Sequence, residues 1–367
     1  MGPKLDTPKD GRAENGQADL PGPPESADQS QRRQLADRLV RATDAGTALG
    51  ELRKRAEQLP CGHPSSPWNE DGSRRAPEKA PADFELPETG LSDADYATHV
   101  SEVVEGLDQA LAAGLATDRQ FGASHDGDIW TQDRADIQDE IIASFYSAAT
   151  DVPCEGLAII AGGLPGAGKT TVLDQQADID RANYLTINPD DFKDELARRG
   201  LIPEVEGLSP MEASALAHEE SYYMARQLAL HAMADGKNII WDVTMSSEAS
   251  TARRLHELRA AGYQRVDGIF VEIPIDTSLA RAEARHRCGH DQYLAGVGLG
   301  GRYPPPDMIQ SKADPEYGST NRRTFEHLKG QFDRWKVYDN SVDGNPAVLV
   351  AEGRGTGAKL DLLSRGS

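Results

Sequence analysis

The chain has 367 residues and a formal net charge of −21, with 60 acidic against 39 basic side chains and three cysteines. The acidic excess argues against a nucleic-acid binder, because neutralising phosphates needs clustered Lys and Arg. Cys61, Cys154 and Cys288 are too few for a disulfide framework and suit a reducing cytoplasm. No apolar run approaches membrane-spanning length, and no signal-peptide pattern opens the sequence.

Residues 1–90 are rich in Pro, Gly, Asp and Ser, and are expected to be largely disordered or linker, with a possible helix near 32–59. Ser92 then offers a helix N-cap, followed by His99, Val103, Val104, Leu107 and Leu111 at helical spacing. A second helix is expected over 131–149, with Ile137, Ile141, Ile142 and Phe145 as its stripe. The region 91–150 therefore reads as a helical extension packing on a core.

From Cys154 onward strands alternate with helices. Strands are expected at 157–161, 184–187, 238–241, 266–273 and 347–350, and helices at 169–177, 191–199, 211–235, 248–261 and 277–287. That order implies an α/β fold, a parallel sheet flanked by helices, over 151–352, with a flexible tail at 353–367. Ligands of such sheets sit at the C-terminal ends of the strands.

The first strand, Leu157 to Ala161, runs into Gly163-Leu164-Pro165-Gly166-Ala167-Gly168-Lys169-Thr170-Thr171. Gly163 to Thr170 fits the phosphate-loop pattern, with a strand before it and a helix after it. The glycines let backbone N–H groups curl around an anion, and Lys169 supplies a point charge for the β- and γ-phosphates. The Thr170 hydroxyl is the expected ligand for Mg2+. The stretch implies a P-loop NTPase or kinase core that binds ATP.

The second strand leads into Asn188-Pro189-Asp190-Asp191-Phe192-Lys193. A kinase needs a carboxylate beside the loop to orient or deprotonate the attacking hydroxyl, and Asp190 is placed for that. Aspartate at such a junction also serves as a helix cap, and spacing alone divides the two readings evenly. The third strand ends in Asp242-Val243-Thr244, whose outer members project to one side of an extended chain. Ser246 or Ser247 can cap the next helix, leaving Asp242 for a substrate hydroxyl or a magnesium-bound water. Arg281 and Arg285 lie four apart on one helix face. The glycine-rich segment Gly296 to Pro304 follows, carries Arg302 and reads as a mobile lid. Cys61-Gly62-His63 and Cys288-Gly289-His290 lack the usual zinc spacing, and the other histidines, including His218 and His256, read as ordinary surface or packed groups.

These residues carry a resemblance. From about Glu155 to Asn340 the chain resembles the zeta toxin family of bacterial P-loop kinases. The likeness rests on Gly162–Thr171, Asn188–Lys193, His218–Ser221, Gly236–Thr244, Arg285 and Gly301-Arg302. The resemblance implies ATP-dependent phosphorylation of the 3′-hydroxyl of UDP-N-acetylglucosamine. It makes Asp190 the general base, Lys169 the phosphate contact, Arg285 and Arg302 the charge-neutralising arginines, and Asp242 with Thr244 the substrate contacts. Asp242 stands where better-known members carry Glu, and Asn188 where an acidic residue is common. Partners implied are a nucleotide-sugar substrate and either an antitoxin protein or an intramolecular N-terminal inhibitor. The alternatives are another small-molecule kinase acting on an antibiotic or nucleotide, and a non-catalytic nucleotide-binding module.

Overall fold

The structure, a computed structural model, describes residues 91–122 and 130–355. The expected helix near 32–59, Cys61-Gly62-His63 and the tail from 356 lie outside the described residues. Helix α1 (Asp93–Ala112) begins where the Ser92 side chain accepts from the Asp95 N–H. Its buried face is Tyr96, His99, Val103, Leu107 and Ala110, whereas Val104 and Leu111 are exposed. The true stripe steps by three and four, and Val104 is rotated about 100° from Val103. Short α2 (Thr117–Phe121) leads towards α3 (Gln132–Ser147), which buries Ile141, Ile142 and Phe145.

Strand β1 (Leu157–Gly162) leads through the glycine-rich loop into α4 (Lys169–Gln175). Next come β2 (Leu185–Ile187), α5 (Pro189–Arg198), a 3-10 turn (Ala213–Ala217), α6 (His218–Ala234), β3 (Ile239–Asp242), α7 (Glu248–Ala260) and β4 (Arg265–Glu272). Helix α8 (Ile275–Leu294) runs seven residues beyond its expected end at Arg287 and takes in Cys288-Gly289-His290. Helix α9 (Pro306–Gln310), the hairpin β5 (Ala313–Asp314) and β6 (Gly318–Ser319), α10 (Thr320–Leu328), β7 (Arg334–Asp339) and β8 (Val348–Arg354) complete the described chain.

The main sheet has the order β2-β3-β1-β4-β7-β8. Its first five strands are parallel, and β8 pairs antiparallel with β7. The connection 340–347 is too short for the crossover a parallel partner needs. Both faces of the sheet are covered. Ala158 and Ile160 of β1 pack with α3, α5, α6 and α7 on one side. Ile159 and Ala161 pack with Val172 and Leu173 of α4 on the other. This two-sided burial is why the strands read as continuous apolar runs.

Helix α3 is fastened to α6 by charge as well as by packing. Arg134 Nε and Nη2 donate to the two carboxylate oxygens of Glu220 at 2.7 and 2.8 Å, and Gln138 donates to Glu220 at 2.8 Å. Glu220 is fully buried. Removing Arg134 strands a buried carboxylate, which costs about 3–5 kcal/mol. Urea unfolding of Arg134→Ala should show that loss; a change below about 1 kcal/mol would mean that water reaches Glu220.

Candidate active site at the phosphate-binding loop

The loop leaves the C-terminal end of β1 and feeds the N-terminus of α4. Gly163 has φ 148° and Gly168 φ 80°. A Cβ at Gly163 would lie 2.5 Å from the Val271 carbonyl oxygen, and one at Gly168 would lie 2.4 Å from Asn340 Nδ2. Both positions thus need glycine for backbone angle and for space. Three successive loop carbonyls are engaged from outside. Ser278 Oγ donates to Pro165 O at 2.6 Å, Arg281 Nη1 to Gly166 O at 3.2 Å and Asn340 Nδ2 to Ala167 O at 2.8 Å. With the carbonyls held there, the unmade N–H groups at the start of α4 are left for an anion. Thr170 and Thr171 sit exposed in that first turn.

Around this loop the structure gathers the charged residues that the sequence singles out. Lys169 Nζ lies 3.5 Å from Asp242 Oδ1, because β1 and β3 pair with Ala161 opposite Asp242. Asn188, not Asp190, caps α5: its side chain accepts from the Asp190 N–H at 3.0 Å, with Pro189 at the first helical position. The Asp190 carboxylate is thereby free of the capping role. It meets Arg302 Nη1 at 2.5 Å and Lys193 Nζ at 3.6 Å. Burial pushes the Asp190 carboxyl up, but Arg302, Lys193 and Lys169 together outweigh it and hold the group below the usual carboxylate range. Arg302 also donates to both oxygens of Asp194 at 3.0 and 3.1 Å.

Arg281 and Arg285 separate in role although they share a helix face. Arg281 is bound to the loop, to Asn340 O at 2.8 Å and to Asp343. Arg285 has no ion-pair partner within 4.0 Å among the described residues. Its guanidinium is held below its ordinary value by desolvation first and by Arg302 second, with Asp190 opposing. The glycine-rich segment is seated rather than detached. Leu299 O accepts from Met211 N at 3.0 Å, and a Cβ on Gly301 would lie 2.3 Å from His286 O. Thr244 Oγ1 faces Ser246 Oγ at 3.2 Å, while Asn321 and Gly163 donate to its carbonyl.

The site also holds groups that sequence reasoning did not single out. Asp194 shares Arg302 with Asp190. Tyr222 on α6 lies beside His218, with ring centroids 4.8 Å apart and planes tilted by 51°, and its phenol is raised by partial desolvation and then by Asp190. Arg254 lies 5.2 Å from the Trp241 ring centre. A spacing of four between His218 and Tyr222 was the available signal. A separate cleft of about 550 Å³, lined by Asp178, Arg265, Arg334 and Lys336, opens at the opposite end of the strands, away from this chemistry.

Carboxylates crowd the site. Asp191 is pushed up to about 6 by burial, then by Asp194, with Asp242 and Asp190 adding and Arg302 opposing. A carboxyl raised on folding is favoured protonated in the native state. The fold therefore loses stability as pH rises from the unfolded value, near 4, through about 6. Asp191→Asn should raise the thermal midpoint at pH 7.5 by the equivalent of about 1–3 kcal/mol and change it little at pH 4. Equal shifts at both pH values would contradict the placement.

The Zeta toxin family profile matches residues 152–344, more than half of the chain. The chain belongs to the Zeta toxin family. With that family come its kinase-like phosphotransferase character and nucleotide binding. Similar solved structures include a chain of the PezAT chromosomal toxin–antitoxin system of Streptococcus pneumoniae, at 18% identity over 61% of this chain and 82% of that one, with a TM-score of 0.43. Another is a chain of the AvrRxo1-ORF1:ORF2 complex with ATP, at 17% identity over 73% of each chain, with a TM-score of 0.41. No curated protein matches the sequence. Among the described residues no helix is long and apolar enough to cross a membrane.

Proposed function

We propose that this Zeta toxin family member is an ATP-dependent kinase that transfers the γ-phosphate to a sugar hydroxyl of a nucleotide sugar, with UDP-N-acetylglucosamine as the acceptor. The observation that carries the reading is the convergence of Lys169 with Asp242 at 3.5 Å and of Asp190 with Arg302 at 2.5 Å beside one loop. Lys169 and the loop N–H groups hold the ATP phosphates. The Thr170 hydroxyl is a hard oxygen donor that suits Mg2+, whose remaining ligands would come from phosphate and water. When bound, Mg2+ neutralises phosphate charge.

Asp190 orients the acceptor hydroxyl. Its low proton affinity suits a loose transition state, in which the proton moves late and positioning matters more than basicity. Arg285 and Arg302 neutralise the equatorial oxygens of the transferring group. Asp242 and Thr244 hold the sugar through hydrogen bonds that an apolar pocket cannot offer. An antitoxin that covers the nucleotide site is the protein partner in this reading, and the cytoplasm its place. Helices α1 and α3 pack on α6, α8 and the 3-10 turn, which favours support over inhibition as their role.

The test is to incubate the purified chain with magnesium-ATP and UDP-N-acetylglucosamine and to search by mass spectrometry for a product heavier by one phosphate. Phosphorylation of an unrelated metabolite instead would keep the kinase and reject this acceptor.

A further inference from the structure

A second polar centre lies at the foot of the arm that carries Arg285 and Arg302. His99 of α1, Glu212 before the 3-10 turn, and His286 and His290 of α8 converge there, with exposures of 8%, 1%, 1% and 7%. Glu212 Oε1 lies 2.7 Å from His99 Nε2, 2.9 Å from His286 Nε2 and 3.3 Å from His290 Nδ1. One ligand-type atom from each of His99, Glu212 and His290 falls within 4.8 Å of the others. The approach of His290 Nδ1 lacks hydrogen-bond geometry, so this buried nitrogen is aimed into the cluster without a hydrogen-bond partner. One carboxylate oxygen is thus faced by three imidazoles, more than its two lone pairs can serve.

We propose that His99, Glu212 and His290 form a buried site for a zinc-class divalent ion, which fastens α1 to α8. Tetrahedral bonds of about 2.0–2.2 Å place neighbouring ligand atoms about 3.3–3.6 Å apart. The 3.3 Å between Glu212 Oε1 and His290 Nδ1 matches that spacing, and the 2.7 Å hydrogen bond from His99 Nε2 opens by less than about 1 Å to admit the ion. Two imidazoles and a carboxylate suit zinc or its first-row neighbours better than magnesium, and a water completes the set.

The surroundings have the outer hydrogen bonds that orient ligands. Tyr96 O–H donates to His286 Nδ1 at 2.8 Å, which leaves His286 Nε2–H to donate to Glu212. The other Glu212 oxygen accepts from Ser209 N at 2.7 Å and Ser209 Oγ at 2.8 Å. The His99 and His290 rings lie against each other, 3.8 Å apart between centres with their planes tilted by 37°. Gly289 and His286 meet the backbone of Gly301, next to Arg302. The ion therefore steadies the segment that brings Arg302 to Asp190.

The experiment uses the full chain, stripped with chelator and then loaded with zinc chloride or cobalt chloride. Elemental analysis should find one zinc per chain. The thermal midpoint should rise with zinc, and cobalt should give tetrahedral absorption without a thiolate charge-transfer band. His290→Ala and the milder His290→Gln should weaken zinc binding by at least the roughly 10–100-fold that loss of an outer partner costs, and should abolish the zinc-dependent rise. Circular dichroism checks that the variants fold. A wild-type chain that takes up no zinc, a cobalt thiolate band, or unchanged zinc content in folded His290 variants would overturn the proposal.

Discussion

Asp190→Asn should lower kcat by about 10²–10⁴-fold while leaving ATP affinity nearly unchanged. The carboxylate sits on the first turn of α5, outside the glycine-rich loop proposed to hold the nucleotide. Asparagine keeps the size and the helix, and Asn188 still caps it. In the proposed mechanism, what is lost is the negative charge that accepts the hydroxyl hydrogen bond and the proton. Among the described residues Arg302 then keeps Asp194 as its ion-pair partner, so part of the loss comes from its displacement. Single-turnover kinetics with saturating ATP read the effect directly. If Asp191→Asn shows the large loss and Asp190→Asn does not, the role belongs to the neighbour.

Lys169→Ala should remove phosphoryl transfer by about 10²–10³-fold or more, with the fold retained. Lys169 stands at the first position of α4, where its ammonium is held against Asp242 and beside the loop. Alanine is a better helix former, so the helix itself does not suffer. It leaves Asp242 without its close cation, and nucleotide affinity should fall as well, which separates this variant from Asp190→Asn. Unchanged turnover in a folded Lys169→Ala protein would remove the loop from the chemistry.

The phosphate loop and the strand–helix alternation were legible because both are local patterns. The Asn-Pro pair before Asp190 carried the capping answer too, since Asn is a good N-cap and Pro suits the next position. Spacing alone had left that point open. Strand β7 was hidden because Arg334, Lys336 and Asp339 interrupt its apolar residues. Helix α10 was hidden because Thr, Asn and Arg surround only Phe325 and Leu328 as large apolar anchors. The division between Arg281 and Arg285 depends on Asn340 and Asp343, far along the chain, and no local pattern reports it. The glycine-rich segment suggested mobility, yet Gly300 and Gly301 are small because Ser209 Oγ and the His286 carbonyl crowd them. The His99, Glu212 and His290 cluster draws on three separate segments and was likewise invisible before folding.

The most direct measurement is the fate of the γ-phosphate. Purified protein is incubated with magnesium and γ-labelled ATP in the presence of a nucleotide-sugar pool, and the label is followed chromatographically. The account predicts label in a small-molecule phosphate ester, lost together in Lys169→Ala and Asp190→Asn. Label released only as inorganic phosphate, or ester formation that survives both substitutions, would contradict it.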